Sequence, residues 1–184
     1  MHDSPHIIVA ENLRAAAEKA AVTFVESIQT ALAARSQASV AISGGSTPRQ
    51  LHRLLSQVPY NAAFDWERVN LFWVDDRLVP YSDAASNFGA AQTDLISPLK
   101  LDRRRIHPIP VTENPAASAA NYEETLRNYF GPPGNQPPLF DLICLGLGTD
   151  GHTASLFPED PALAEKQRWV VAVKGGSPNV DRLT

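Results

Sequence analysis

Residues 39–48 read Ser-Val-Ala-Ile-Ser-Gly-Gly-Ser-Thr-Pro, and this stretch decides the fold class. Its first five residues form a short, largely apolar run of the kind found in buried strands. The two glycines that follow permit a tight turn, and the proline suits the first turn of a helix. The stretch therefore predicts a strand, a glycine-rich turn and a helix in succession, which is the repeating unit of an α/β domain.

The same alternation extends to both sides of this stretch. The spacing of apolar residues predicts helices at 11–35, 49–56, 86–95 and 115–130, with a short one at 153–157. Apolar or extended runs predict strands at 7–9, 39–43, 70–74, 106–111, 141–145, 169–173 and from 182 onward. We therefore expect a mostly parallel sheet flanked by helices, in a Rossmann-like α/β arrangement.

The composition limits the classes of protein to which the chain can belong. It has 184 residues, a net charge of −4 and one cysteine, Cys144. A negative chain is poorly suited to nucleic acid, and one cysteine excludes a disulfide framework and a multi-cysteine zinc site. No apolar run approaches the roughly 18 residues of a membrane helix, and the start does not resemble a secretory signal. We expect one soluble, cytoplasmic domain over residues 1–184, with no nucleic-acid or membrane partner.

Polar or glycine-rich segments follow three of the expected strands. They are residues 44–48, 75–77 and 146–152. Because ligands bind at the carboxyl ends of the strands in parallel α/β sheets, these segments are expected to form the site.

The first segment holds Gly44, Gly45, Ser46 and Thr47. The glycines let the backbone approach a ligand, while free N–H groups of the following helix and two hydroxyls can bind an anion, with phosphate as the natural guest. The alternative is an ordinary strand-to-helix turn with a capping hydroxyl. The segment lacks the lysine of a nucleotide P-loop.

The second segment is Asp75-Asp76-Arg77. Arg77 can bind a phosphate or carboxylate in bidentate fashion, and one aspartate can bind sugar hydroxyls or orient a base. The alternative is a self-compensating group of charges at the surface.

The third segment places Asp150 and His152 on either side of Gly151. This pattern is typical of a general base oriented by a carboxylate, and the glycine permits a backbone angle that directs both side chains to one cavity. The alternative is a structural or exposed histidine. The other histidines show no metal-ligand spacing, so no metal site is expected. Cys144, within an apolar strand, is expected to be a buried apolar residue rather than a nucleophile.

Three segments together resemble the 6-phosphogluconolactonase family, which is more distantly similar to the glucosamine-6-phosphate deaminases. The matching residues are 41–48, 73–80 with 86–88, and 145–158. The resemblance implies the α/β fold of that superfamily and hydrolysis of 6-phosphoglucono-1,5-lactone in the oxidative pentose phosphate pathway, without a cofactor. It also implies that residues 44–47 and Arg77 bind the substrate, that His152 is the general base and that Asp150 orients it.

The chain departs from the family pattern in three places. Asp76 stands where the family has glutamate, so the role of this residue is open. The stretch 175–184 lacks the family's lysine but keeps an arginine, Arg182, which is expected to add positive charge to the site. The family pattern also continues for some tens of residues beyond Thr184. We therefore expect the chain to lack a strand and a helix and to leave an apolar face near residues 170–173 uncovered.

Two other functions fit parts of the pattern. A glucosamine-6-phosphate deaminase shares the Asp-Gly-His segment, but its Asn-Glu-Pro continuation is replaced here by Leu156-Phe157-Pro158. A non-catalytic sugar-phosphate binding module, including an inactive truncated lactonase, would share the fold without needing Asp150 or His152. Release of ammonia would favour the first, and binding of 6-phosphogluconate without lactone turnover would favour the second.

Overall fold

The computed structural model describes residues 5–131 and 138–184 and shows seven strands in two sheets. The strands are β1 (Ala38–Ile42), β2 (Val69–Trp73), β3 (Asp76–Arg77), β4 (Ile106–His107), β5 (Leu142–Ile143), β6 (Ala172–Gly175) and β7 (Val180–Leu183). One sheet is parallel, in the order β4-β2-β1-β5. β1 and β2 are buried along their whole length, as expected for strands covered on both faces. The predicted α/β fold with a mostly parallel sheet is confirmed.

Helices follow the strands as the alternation predicts. They are α1 (Leu13–Ala34), α2 (Ser46–Leu55), α3 (Asn87–Ala91), α4 (Ser97–Leu99) and α5 (Pro115–Phe130), and a π-helical turn at Gln92–Ile96 joins α3 to α4. Asparagine side chains cap both long helices, with Asn12 accepting from Ala15 N and Asn114 from Ala116 N. Within the described ranges, no helix is long and apolar enough to cross a membrane.

The core lies between the parallel sheet and its helices. Phe24 and Ile28 of α1 and Leu71 and Phe72 of β2 are almost fully buried, together with Leu95 of the π-helical turn. This packing holds β1 and β2 in register from Ala38 opposite Val69 to Ile42 opposite Trp73, so the carboxyl ends of the strands meet at one edge.

A second, antiparallel sheet was not expected from the sequence. Its order is β3-β7-β6, and its register places Arg77 of β3 directly opposite Arg182 of β7. β3 is only two residues long and its partner lies about a hundred positions further along the chain, so no local pattern identifies the pairing.

Two predicted elements are wrong. Residues 7–9 are not a strand: no described strand pairs with them, and the side chains of Ile7 and Val9 are 79% and 88% exposed. Residues 153–157 are not a helix but turns with an isolated bridge between Thr153 and Leu156, because Ala154 has a φ of 51°.

The expectation of an uncovered apolar face near residues 170–173 is also wrong. Val170, Val171 and Val173 are buried, because the second sheet packs against α5. Exposed large apolar side chains instead lie around β5, at Leu139 and Leu147, which are 80% and 82% exposed.

Candidate active site

One cleft of about 450 Å³ brings the three polar segments together at the carboxyl ends of the parallel strands. The segments follow β1, β2 and β5, which are neighbours in the sheet, so their carboxyl ends lie side by side. The side chains and backbone that line the cleft include Gly44, Gly45, Ser46, Thr47, Asp75, Arg77, Asn87, His152 and Arg182. The predicted place of the site at these strand ends agrees with this cleft.

The glycine segment turns directly into α2. Gly45 occupies the capping position with a φ of 104°, a backbone conformation that residues with a side chain rarely adopt. In the part of the chain that the structure describes, no side chain caps this helix end, so its first N–H groups remain for an anionic ligand. The geometry therefore suits the predicted phosphate-binding role of residues 44–47.

Two arginines face the same cleft from the second sheet. Arg77 and Arg182 are directly opposite each other across β3 and β7. Arg182 is almost fully buried, and its Nε and Nη2 donate to the carbonyl oxygens of Gly175 at 2.8 Å and Pro178 at 3.1 Å. Burial, and next the charge of Arg77, lowers the pKa of Arg182. Two fixed cations at one wall make the cleft suitable for a doubly charged anion.

The carboxylate of Asp75 is engaged within the protein. Its Oδ2 accepts from Ser155 Oγ at 2.7 Å and its Oδ1 from Asn87 Nδ2 at 3.2 Å. Burial raises the pKa of Asp75, against the opposing effect of the hydrogen bond from Ser155. Asp75 lines the cleft, and binding of substrate hydroxyls by its carboxylate stays a prediction.

Asp76, which stands where the family has glutamate, supports the start of α3. Its Oδ1 accepts from the backbone N–H of Arg77 at 2.8 Å and of Asn87 at 2.6 Å, and its Oδ2 accepts from Phe88 N–H at 2.9 Å. Burial raises the pKa of Asp76, and these three backbone donors oppose that rise. The residue thus fixes the position of Asn87 rather than facing the cleft.

His152, which lines the same cleft, forms a hydrogen-bonded pair with Asp150. Nδ1 of His152 lies 2.5 Å from Oδ1 of Asp150, and this hydrogen bond lowers the pKa of the Asp150 carboxyl. A carboxylate can only accept, so Nδ1 is the donor, and in the neutral imidazole Nε2 is then the nitrogen with the free lone pair. Gly151, with a φ of 87°, supplies the turn between the two residues, but only His152 lines the cleft, and the side chain of Asp150 is about half exposed.

Close packing sets the position of the imidazole. A Cβ added to Gly148 would lie 2.2 Å from His152 Nδ1, so a side chain at this position would displace the imidazole. The ring of Phe157 packs against His152, with centroids 4.9 Å apart, and also lies beneath the guanidinium of Arg182 at 5.5 Å. The same ring therefore packs against both the imidazole and the guanidinium.

Sequence reasoning assigned no role to three buried or packed residues: Asn87, Ser155 and Phe157. Asn87 and Ser155 act through contacts with segments far away in the sequence. The only available signal was their place within the segments that resemble the family.

The described residues offer no ready position for a metal or a reactive thiol. Within residues 5–131 and 138–184, no three His, Cys, Asp or Glu side chains are grouped as metal ligands would be. Burial raises the pKa of the Cys144 thiol to about 11, so it is protonated at neutral pH. The expectation of catalysis without a cofactor stays a prediction.

Comparisons with known proteins agree on one family. The family model described as glucosamine-6-phosphate isomerases/6-phosphogluconolactonase matches residues 11–184. A 6-phosphogluconolactonase of Streptomyces coelicolor is 36% identical over 181 residues, which are 95% of this chain and 69% of the relative. A 6-phosphogluconolactonase of Synechocystis is 37% identical over 179 residues, which are 96% of this chain and 73% of the relative.

Solved structures give the same result for the fold. The 6-phosphogluconolactonase of Trypanosoma cruzi superposes with a TM-score of 0.89 and 30% identity, covering 100% of this chain and 75% of that one. The crystal structure of a devB protein superposes with a TM-score of 0.84 and 31% identity, covering 96% of this chain and 71% of that one.

Proposed function

The chain belongs to the family of glucosamine-6-phosphate isomerases and 6-phosphogluconolactonases, and from this we infer that it hydrolyses 6-phosphoglucono-1,5-lactone to 6-phosphogluconate. This is the hydrolytic step of the oxidative pentose phosphate pathway. One observation carries the roles that we propose for its residues. A histidine held by a carboxylate faces the same cleft as two opposed arginines and an uncapped helix end.

The phosphate of the substrate would bind at the arginine wall. The backbone N–H groups and hydroxyls of residues 44–47 and the guanidinium groups of Arg77 and Arg182 supply the donors and the positive charge. The lactone ring would then extend toward His152.

The ester bond would be broken by water. Nε2 of His152 takes a proton from the water molecule while the water oxygen forms a bond to the lactone carbonyl carbon. The resulting tetrahedral oxyanion collapses, the bond between the carbonyl carbon and the ring oxygen breaks, and the proton on Nε2 passes to the ring oxygen. Asp150 keeps the proton of Nδ1 in place and stabilises the imidazolium between these two transfers.

The packing around His152 favours the lactonase over the deaminase. Phe157 occupies a position in the stretch where the deaminases have Asn-Glu-Pro, and its ring lies against the imidazole. An apolar ring cannot exchange protons with an amino sugar. The hydrogen-bonded pair of Asp150 and His152 favours an enzyme over a binding module, which would have no need of a prepared base.

The activity is tested with fresh lactone, corrected for spontaneous hydrolysis, alongside ammonia release from glucosamine 6-phosphate. We expect the protein to accelerate lactone opening and to release no ammonia. Ammonia would establish the deaminase, and binding of 6-phosphogluconate without turnover would establish a binding module.

We place the enzyme in the cytoplasm as part of the same proposal. The lone Cys144 fits a reducing compartment, where a thiol persists.

A further inference from the structure

We infer that Asn87 is a positioning residue that sets the orientation of Arg77 and thereby the preference of the cleft for phosphorylated ligands. This inference rests on the proposed phosphate-binding role of Arg77. Asn87 lines the cleft, yet its side chain is buried, with only 4% of the residue exposed. A buried amide is costly unless its hydrogen bonds are made, so its partners define what it does.

The amide of Asn87 holds Arg77 on one side. Its Oδ1 accepts from Arg77 Nη1 at 2.9 Å, and the same Nη1 donates to the Ala85 carbonyl oxygen at 2.8 Å. Both acceptors lie on Nη1, and among the described residues neither Nε nor Nη2 has a partner. The guanidinium is therefore fixed at Nη1 and its Nε is buried, which leaves Nη2 as the nitrogen for a ligand.

The same amide holds Asp75 on its other side. Nδ2 donates to the Asp75 carbonyl oxygen at 3.0 Å and to its Oδ1 at 3.2 Å. An amide can donate from one end and accept at the other, whereas a carboxylate can only accept. Asparagine is therefore the residue type that can bridge an arginine and an aspartate at this position without adding charge.

Asn87 also touches the glycine segment. A Cβ added to Gly44 would lie 1.8 Å from Asn87 Oδ1, so the amide packs directly against the start of that segment. The backbone N–H of Asn87 is itself held by Asp76 at 2.6 Å. One rigidly held side chain thus contacts both parts of the proposed phosphate site, the glycine segment and Arg77.

The substitution Asn87→Asp tests this role because it changes an amide to a carboxylate of the same shape. The new carboxylate would oppose Asp75 and pair with Arg77, which removes the positive charge available to phosphate. We expect the Kd for 6-phosphogluconate and the KM for the lactone to rise about tenfold or more, while kcat changes less than about threefold. The Kd for gluconate and the hydrolysis of unphosphorylated glucono-1,5-lactone should stay within about twofold.

Two further variants complete the experiment. Asn121→Asp adds the same charge at an exposed position on α5 and should leave each of these values unchanged. In Arg77→Ala protein, the additional Asn87→Ser change, which adds no charge, should have little effect on the Kd, since the guanidinium that Asn87 orients is already absent. Because Asn87 is buried, folding of each variant is checked by its unfolding transition, and Asn87→Ser, which adds no charge, should give a smaller rise in the same Kd.

Equal losses toward phosphorylated and unphosphorylated ligands, or a fall in kcat at unchanged KM, would overturn the inference. Full additivity of the effects of Asn87→Ser and Arg77→Ala on the Kd would overturn it as well. The binding measurements separate this inference from the proposed function. If the wild-type protein does not turn over lactone, the proposed function is wrong. The comparison of the Kd values of Asn87→Asp and Asn121→Asp still decides the role of Asn87.

Discussion

Nδ1 of His152, which lines the cleft, lies 2.5 Å from Oδ1 of Asp150, so in the neutral imidazole the carboxylate holds the proton on Nδ1. The tautomer with a free lone pair on Nε2 is the one that can remove a proton from water. The catalytic role that we propose for His152 therefore depends on its partner as well as on its own ring.

Substitution of either member of the pair should lower kcat much more than it raises KM. We expect His152→Ala to reduce kcat about 10²- to 10⁴-fold, and Asp150→Asn to reduce it less, because the imidazole remains but can adopt the wrong tautomer. Initial rates on fresh lactone, corrected for spontaneous hydrolysis, provide the measurement. A nearly unchanged kcat/KM in His152→Ala would remove this residue from the role of general base.

Gly148→Ala should impair catalysis without unfolding the protein. The added Cβ would lie 2.2 Å from His152 Nδ1 and must displace the imidazole from Asp150. We expect kcat to fall at least about tenfold, because small misplacements of a catalytic group are costly. The matched control is Gly146→Ala in the same loop, where an added Cβ meets nothing within 4 Å. Similar activities of the two variants would argue against a need for close packing at His152.

Arg77→Ala should weaken the binding of phosphorylated ligands. Loss of a charge-assisted hydrogen bond to phosphate corresponds to a rise in KM of about 10- to 100-fold, with a smaller change in kcat. Arg14→Ala, which removes a highly exposed arginine on α1, is the control for loss of one positive charge. If the KM of the Arg77 variant matched that of the Arg14 variant, phosphate would bind elsewhere.

His52 should make the protein less stable in mild acid. Burial lowers its pKa from 6.5 to about 4, and its Nδ1 has no partner in the described part of the chain. The unfolded chain therefore binds a proton at this histidine more readily than the folded chain does. Above pH 6.5 the histidine is neutral in both states and does not reduce the free energy of unfolding. As the pH falls from 6.5 toward 4, protonation of the unfolded chain lowers that free energy, by about 2 kcal/mol at pH 5.

The measurement is urea unfolding at pH 7.5 and pH 5 for the wild type, His52→Leu and His6→Leu. The difference between the two pH values should shrink by about 2 kcal/mol in His52→Leu. His6 is exposed, so its substitution should leave that difference unchanged. An identical pH dependence of the wild type and His52→Leu would show that His52 is not the group responsible.

The parallel half of the fold was predictable because its information is local. The run of residues 39–43 is largely apolar, its glycine turn follows at once, and helical periodicity marks α1 and α5 on either side. The carboxyl ends of β1, β2 and β5 could therefore be assigned to one edge before any contact was known. The same reasoning failed for residues 7–9, because an apolar run forms a strand only where another strand is available to pair with it.

The sequence predicted the charged residues of the candidate site but not the residues that hold them in position. Arg77 and His152 follow strands within recognisable segments, whereas the contacts of Asp76, Asn87 and Ser155 join positions from 10 to 80 residues apart. Such contacts exist only once the chain has folded. The order of residues along the chain therefore carries no direct sign of them.

The opposition of Arg77 and Arg182 across β3 and β7 has a consequence beyond recognition. Two like charges held directly opposite each other repel, and a dianion bound at the arginines, as we propose, would reduce the cost of that repulsion. Ligand that binds only the folded state also raises stability by mass action, by about 2.7 kcal/mol at a hundred times its Kd. In the binding mode that we propose, the phosphate adds its negative charge to that of Asp75 and Asp76 beside the two arginines. The folded protein is therefore expected to be more stable with bound ligand than without it.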